Sequence, residues 1–97
     1  MILDQVLYEE YNRMNRLVEK INNEIEELPK GYISVKHING KEYAYLQRRE
    51  GKKIVSSYIA NEEVASYSML IARRKELELQ RRDFQKELCK LKKVLAI

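Results

Sequence analysis

Tryptophan is absent from this 97-residue sequence, and cysteine, histidine and proline occur once each. Because Cys89 has no second cysteine with which to pair, an internal disulfide is excluded, and Cys89 with His37 supplies too few ligands for a zinc site. The three glycines form no glycine-rich phosphate loop, and no nucleophile elbow is present. We therefore expect a protein that is not an enzyme and that uses neither a metal nor a cofactor.

Long hydrophobic runs are also missing from the sequence. No apolar stretch approaches the roughly 20 residues that a membrane-spanning helix needs. Residues 1–12 lack the basic-then-apolar pattern of a secretory signal peptide. We expect a soluble, cytoplasmic protein with no membrane partner.

Charged residues are abundant and unevenly distributed. Residues 1–29 contain seven acids and three bases, which gives a net charge of −4. Residues 30–60 contain seven bases and two acids, a net charge of +5, and residues 61–97 contain nine bases and six acids, a net charge of +3. This separation predicts either an anionic partner or a partner helix for the basic segments.

Residues 3–28 have the apolar spacing of a helix that packs against another helix. The spacing alternates between four and three residues, at Leu7, Tyr11, Met14, Val18, Ile21, Ile25 and Leu28. This heptad pattern predicts a coiled-coil-like seam. Pro29 disfavours the helical conformation at the residue before it, and Gly31 follows, so we expect the helix to end at residue 28.

Residues 31–60 have a different period and are rich in β-branched and aromatic residues. They predict three strands separated by Asn39-Gly40 and Glu50-Gly51. Asn-Gly is the strongest signal for a two-residue hairpin turn, because both central residues of that turn take positive φ. If Glu50-Gly51 is also a two-residue turn, Tyr43 lies opposite Tyr58.

A second helical pattern covers residues 61–95, with Asn61 as its expected N-cap. Its seam residues are again four and three apart, at Tyr67, Leu70, Arg74, Leu77, Arg81, Phe84, Leu88, Leu91 and Leu95. Arginine is unusual at such positions. We expect the stems of Arg74 and Arg81 to follow the seam while their guanidinium groups reach acids of the first helix, such as Glu10, Glu19 or Glu24. Alternatively, these two arginines set the register of the helices or meet a partner.

Together these elements predict a single α+β domain over residues 1–97. It contains a long helix, a three-stranded antiparallel β-meander and a second long helix, and the short connections make the helices an antiparallel, coiled-coil-like hairpin with the sheet at its tip. This register places Leu7 near Leu88 and Leu28 near Tyr67. Since a chain of this length has only a modest core, a homodimer is possible, and a purely structural or oligomerising coiled-coil protein is one alternative.

Alternation along the strands assigns two faces to the sheet. The apolar face, which we expect the helices to cover, collects Ile33, Val35, Ala44, Leu46, Val55, Ser57 and Ile59. The other face is aromatic and basic, and its candidate binding residues are Tyr32, Lys36, Tyr43, Tyr45, Gln47, Arg49, Lys52 and Tyr58. Tyrosines can stack on nucleobases while bases contact phosphates, which favours DNA or RNA as the partner. The same composition also suits a protein partner or a plain structural surface.

Residues 28–59 resemble a recurring domain of small uncharacterised bacterial, archaeal and mobile-element proteins, a resemblance that implies no activity. The residues that carry it are Leu28-Pro29-Lys30-Gly31, Ile38-Asn39-Gly40-Lys41, Tyr43, Tyr45-Leu46, Arg49, Gly51-Lys52 and Tyr58. Three strands followed by a helix are also similar to the arm-type DNA-binding domain of phage-type tyrosine recombinases and to the AP2 domain, which insert the sheet into the major groove. That similarity implies that the DNA is faced by Tyr43, Tyr45, Gln47, Arg49 and Lys52.

The small size and the helical hairpin of the chain also resemble those of phage-encoded inhibitors. An inhibitor of the anti-CRISPR kind would bind a host nuclease on its protein or guide surface. The sequence leaves this alternative open beside the nucleic-acid interpretation.

Overall fold

The computed structural model describes residues 2–97. Along the chain it has helix α1 (Ile2–Glu27), strands β1 (Tyr32–Ile38), β2 (Lys41–Glu50) and β3 (Lys53–Ile59), a 3-10 turn (Asn61–Glu63) and helix α2 (Val64–Leu95). The strands form an antiparallel sheet in the order β1-β2-β3, which confirms the expected α+β class.

The described chain divides into two compact units. We call residues 2–27 and 75–97 the helical unit, and residues 28–74 the sheet unit. Helix α2 contributes to both, because residues 64–74 belong to the sheet unit and the remainder to the helical unit. That residues 1–97 behave as a single domain stays a prediction.

The helical unit buries the seam that the heptad spacing predicts. Its buried apolar residues are Met14, Ile21 and Ile25 from α1, with Leu77 and Leu88 from α2. All five lie at predicted seam positions, so the two helices cover each other's apolar stripes.

The alignment of the two helices differs from the expected one. Arg81 Nη1 donates a hydrogen bond to Asn22 Oδ1 at 2.8 Å. With Leu7 opposite Leu88, residue 22 would lie opposite residue 73. Residue 81 lies there instead, so α2 is shifted along α1 by about two helical turns from the expected alignment. The displacement has a physical reason, because the first turns of α2 are occupied by the sheet.

The sheet unit has its own core. Its buried cluster contains Ala44, Leu46, Ile59 and Ile71, against which Ile33, Val64 and Tyr67 pack. The expected apolar face of the sheet therefore faces inward, except that Val35 is 52% exposed.

The seam of α2 changes position within this core. Leu70, which was expected in the seam, is 43% exposed, whereas its neighbour Ile71 is only 6% exposed. Ile71 is buried in place of Leu70 because the first turns of α2 pack on the sheet, and the side of the helix that faces the sheet is not the side predicted from the heptad spacing. Asn61, the expected N-cap, is instead the first residue of the 3-10 turn, where Glu63 N donates to Ala60 O at 2.9 Å.

The β1–β2 hairpin has the predicted register, with Lys36 opposite Tyr43. Its turn residues Asn39 and Gly40 both have positive φ, 52° and 76°, as a type I′ turn requires.

The β2–β3 register differs from the prediction by two residues, because Tyr45 rather than Tyr43 pairs with Tyr58. The turn is formed by Gly51 and Lys52, and of these two only Gly51 has positive φ, at 62°. A glycine at the first central position is typical of a type II′ turn. Since the shift is an even number of residues, every side chain that remains in a strand keeps its predicted face.

The connection between α1 and β1 passes very close to β2. Gly31 has φ of +94°, and a Cβ built at this residue would lie 2.0 Å from the carbonyl oxygen of Gln47. Only glycine combines this positive φ with so close an approach of two backbones. The stop signal predicted from Pro29 and Gly31 is therefore also a packing requirement.

Candidate functional site

The face of the sheet that lies opposite the buried cluster carries four tyrosines, and we call it the tyrosine face. Strand alternation and the two registers assign to it Tyr32, Ser34, Lys36, Ile38, Lys41, Tyr43, Tyr45, Gln47, Arg49, Ile54, Ser56 and Tyr58. Seven of the eight predicted binding residues lie on it. The eighth, Lys52, lies in the turn that follows β2, and the expected pairing of Arg49 with Lys52 is replaced by one with Ile54.

Three of the four tyrosines form a cluster in the centre of this face. The ring of Tyr58 lies 5.9 Å from that of Tyr45 at 71°, and 6.4 Å from that of Tyr43 at 55°. Such tilted and edge-to-face contacts are the favoured geometries of aromatic pairs. Tyr43 and Tyr45 are half-buried, whereas Tyr58 is 59% exposed. The two inner rings thus support one ring that is open to solvent.

The fourth tyrosine is held by a polar contact. Tyr32 Oη donates a hydrogen bond to Gln47 Oε1 at 2.8 Å, between residues that are paired directly across β1 and β2. Tyr32 is 53% exposed. A second accessible ring is therefore tied to the sheet by its hydroxyl group.

Basic side chains lie towards both ends of the tyrosine face. At the end near the β1–β2 turn, Lys36 Nζ lies 4.8 Å from the centroid of the Tyr45 ring, a cation–π contact, and the exposed Lys41 lies one pair further along. At the opposite end Arg49 is exposed, and Lys52 follows in the turn. The aromatic centre is flanked by positive charge on either side.

Acidic residues are missing from the tyrosine face as defined above. The two acids of the strands, Glu42 and Glu50, alternate onto the other face. There Glu42 Oε1 lies 3.6 Å from His37 Nδ1, and Glu50 Oε1 accepts a hydrogen bond from Arg48 Nε at 3.0 Å. The tyrosine face therefore has a net charge of +3, from Lys36, Lys41 and Arg49, with no acid on the same face to balance it.

Three charged or apolar residues of this face were not among the predicted binding residues. Lys41 and Ile38 are paired at its turn end, and Ile54, which is 65% exposed, lies opposite Arg49. The alternation rule that identified the tyrosines contained the signal for all three, because directly opposed residues share a face.

The two seam arginines do not lie on the tyrosine face. Arg74 is buried, and its guanidinium donates to the carbonyl oxygens of Pro29 at 2.6 Å and Gly31 at 2.9 Å. These backbone acceptors, at the end of α1, were not among the expected partners. The half-buried Arg81 contacts Asn22, and Glu10, one of the acids expected to receive an arginine, contacts Arg13 of its own helix. The guanidinium of Arg13 holds the pKa of Glu10 below its usual value through this hydrogen bond.

Residues 2–97 contain no group of three or more His, Cys, Asp or Glu side chains placed to hold a metal ion. Cys89 is exposed on α2. None of the helices in the same range has the length and apolar character that crossing a bilayer requires.

Comparison with known proteins gives one family. The model of a domain of unknown function (DUF6788) matches residues 7–68, which confirms the predicted resemblance to an uncharacterised domain. No curated protein and no solved structure matches the chain. The matched segment contains the whole tyrosine face and ends before both seam arginines.

Proposed function

The chain belongs to the DUF6788 family, and since the function of that family is unknown, we propose one from the surface of the chain itself. In this proposal the protein is a non-catalytic module that binds nucleic acid through the tyrosine face. The supporting observation is the combination of exposed aromatic rings, flanking bases and no acid on a single open sheet surface.

The dimensions of the tyrosine face suit an extended polyanion. Arg49 lies six residues after Tyr43 on β2, and Tyr43 is paired with Lys36, so the basic ends are about 20 Å apart at the usual rise per strand residue. Cations at both ends can contact phosphates while the central tyrosines contact bases. A nucleic acid lying along β2 would meet both kinds of group.

The resemblance to recombinase arm domains and the AP2 domain supports a duplex as one possible ligand. In those domains a three-stranded sheet enters the major groove. A binding assay therefore has to include double-stranded DNA as well as single-stranded DNA and RNA.

The decisive test is a charge reversal on the tyrosine face and in its adjoining turn. We expect the double variant Arg49→Glu, Lys52→Glu to bind labelled DNA and RNA at least about tenfold more weakly in fluorescence anisotropy at low salt. The salt dependence should also fall, by about one unit of logarithmic slope for each phosphate contact that is lost.

A matched control has the same change in net charge on exposed residues of α2. The variant Arg82→Glu, Lys86→Glu should bind as the unaltered protein does. Equal binding by all three proteins, or no binding by the unaltered protein, would contradict the proposal.

A protein partner is the second candidate, and one specific observation favours it. Ile54 and Ile38 are 65% and 45% exposed on the same face as the tyrosines and Arg49, and aromatic residues and arginine are enriched at protein interfaces. A phage-encoded inhibitor of a host nuclease would fit this surface. The uncharged change Ile54→Ser, which adds no acid opposite Arg49, should then weaken capture of the partner from nuclease-treated host extract, while binding of nucleic acid would remain.

A further inference from the structure

The tyrosine face presents its rings unequally, and two of them are accessible to a ligand. Tyr58 and Tyr32 are 59% and 53% exposed, whereas Tyr43 and Tyr45 are half-buried and the ammonium group of Lys36 covers the ring of Tyr45. The two accessible rings lie on the edge strands β3 and β1. The two residues are one alternate position apart along the strands and two strands apart across the sheet, so their Cα atoms lie about 12 Å apart.

Both accessible rings are held in place before any ligand arrives. The rings of Tyr43 and Tyr45 support Tyr58 in a tilted geometry, and the hydroxyl of Tyr32 is bonded to Gln47. Ordering a side chain on binding costs free energy, and that cost is reduced where the side chain is already ordered. The arrangement therefore favours ligands that lie flat against a fixed ring.

Each accessible ring also has a cation close to it. Tyr32 pairs with Gln47, which is one alternate position from Arg49, and the ring of Tyr58 lies beside that of Tyr45, whose centroid is 4.8 Å from Lys36 Nζ. One alternate position along a strand is about 6.6 Å. A base on either ring would thus have its phosphate within reach of a different basic side chain.

A duplex can use little of this geometry. Inside a double helix the faces of the bases are covered by their neighbours, and only base edges are accessible in the grooves. The tyrosine face has one side-chain amide, that of Gln47, and its oxygen already accepts a hydrogen bond from Tyr32. Single-stranded nucleic acid, by contrast, offers free base faces that stack on aromatic side chains.

From these contacts we infer that the ligand is single-stranded nucleic acid, two bases of which stack on Tyr32 and Tyr58. The inference rests on the proposed function and specifies its substrate class. Recognition by ring faces and phosphates tolerates different sequences, because every base has a π-face.

The test compares labelled single strands of oligo(dT) and oligo(U), about 12 nucleotides long, with a DNA duplex of the same length. We expect the single strands to bind at least about tenfold more tightly. Tyr58→Leu should weaken single-strand binding by about 5-fold to about 100-fold with an unchanged salt slope, and Tyr58→Phe should restore most of the loss. Tyr32→Leu should act in the same direction.

The matched control is Tyr8→Leu, which removes an exposed tyrosine from α1 and should leave binding unchanged. Tyrosine fluorescence gives a second readout, because stacking of bases should quench it less in Tyr58→Leu than in the unaltered protein. Circular dichroism verifies that each variant is folded, which is expected because all three tyrosines are exposed, by 42–59%.

The outcomes separate this inference from the proposed function. Duplex binding as tight as single-strand binding, or full affinity in both leucine variants, would overturn the inference and leave nucleic-acid binding standing. Failure of the unaltered protein to bind any of the probes at low salt would overturn both.

Discussion

At the scale of single residues, Gly31 is the position where the chain tolerates least change. Its positive φ already disfavours any other residue by about 1–3 kcal/mol, and an added Cβ would meet the Gln47 carbonyl oxygen. We expect Gly31→Ala to lower the free energy of unfolding by at least about 3 kcal/mol, measured by urea denaturation.

Gly40 provides the control for this prediction, because its φ is also positive, at +76°, but nothing lies within 4 Å of an added Cβ. Gly40→Ala should therefore cost only about 1 kcal/mol, from backbone strain alone. Equal losses in the two variants would show that the close approach to Gln47 contributes nothing.

Arg74 is the second residue with a large expected effect. Its buried guanidinium donates to the carbonyl oxygens of Pro29 and Gly31, and hydrogen bonds from charged groups contribute about 1.5–3 kcal/mol each. We expect Arg74→Met to lower the free energy of unfolding by about 3 kcal/mol, because two carbonyl groups lose their donor.

Two other arginines of α2 calibrate this measurement. Arg81→Met removes a single hydrogen bond from a half-buried charged donor and should cost about 1.5 kcal/mol, the low end of the same range. Arg82 is exposed, and its replacement by Met should change the stability by less than about 0.5 kcal/mol. The same denaturation experiment, applied to all three variants, would refute the assignment if their order were different.

At the scale of elements, the β2–β3 register can be tested by a crosslink. Gln47 lies directly opposite Ser56, whereas a turn at Glu50-Gly51 would put Tyr45 there. In a Cys89→Ala background, Gln47→Cys with Ser56→Cys should form a disulfide under mild oxidation, because opposed Cβ atoms are about 5 Å apart. Tyr45→Cys with Ser56→Cys, at diagonal positions, should form it much more slowly; the reverse order of rates would support the rejected register.

The elements show which parts of this fold a sequence can predict. Heptad spacing, Pro29 and Asn39-Gly40 are local signals, and they gave both helices, the first hairpin and the two faces of the sheet correctly. The second turn was predicted at Glu50-Gly51 but is formed by Gly51-Lys52. Both alternatives place glycine in a two-residue loop, and they differ only in which cross-strand contacts form. Ile71 was missed because which side of α2 is buried depends on the distant sheet.

The candidate site was predictable to a similar extent. Period-two alternation placed its tyrosines on one face, and an even error in register cannot change a face. The contacts of the tyrosine rings, by contrast, could not be predicted. The cation–π contact of Lys36 with Tyr45 and the hydrogen bond from Tyr32 to Gln47 depend on the conformations of several side chains, for which the sequence contains no periodic signal.

At the scale of the whole molecule, the continuity of α2 predicts how the chain unfolds. Because helix formation is cooperative along a helix, its two segments should stabilise each other. Far-UV circular dichroism reports the helices, whereas tyrosine signals report mainly the sheet unit, which contains five of the seven tyrosines. We expect the two measurements to give coincident unfolding transitions.

Lys75→Pro should separate these transitions, since proline within a helix costs about 3 kcal/mol and interrupts the hydrogen bonds of α2. Lys75→Ala is the control and should leave them coincident. Separate transitions in the unaltered protein would contradict the prediction of a single domain. Repeating the measurement at several protein concentrations tests whether the chain forms a homodimer, because self-association makes the midpoint depend on concentration.

The pairing of α1 with the last part of the chain has a consequence for synthesis. Strands β1 to β3 pair with their neighbours in sequence, but Met14, Ile21 and Ile25 emerge from the ribosome well before their partners Leu77 and Leu88. The apolar stripe of α1 therefore stays uncovered until residues 77–88 have been synthesised. A chain that stops before residue 75 would keep it uncovered permanently, and such fragments would be substrates for chaperones and proteases.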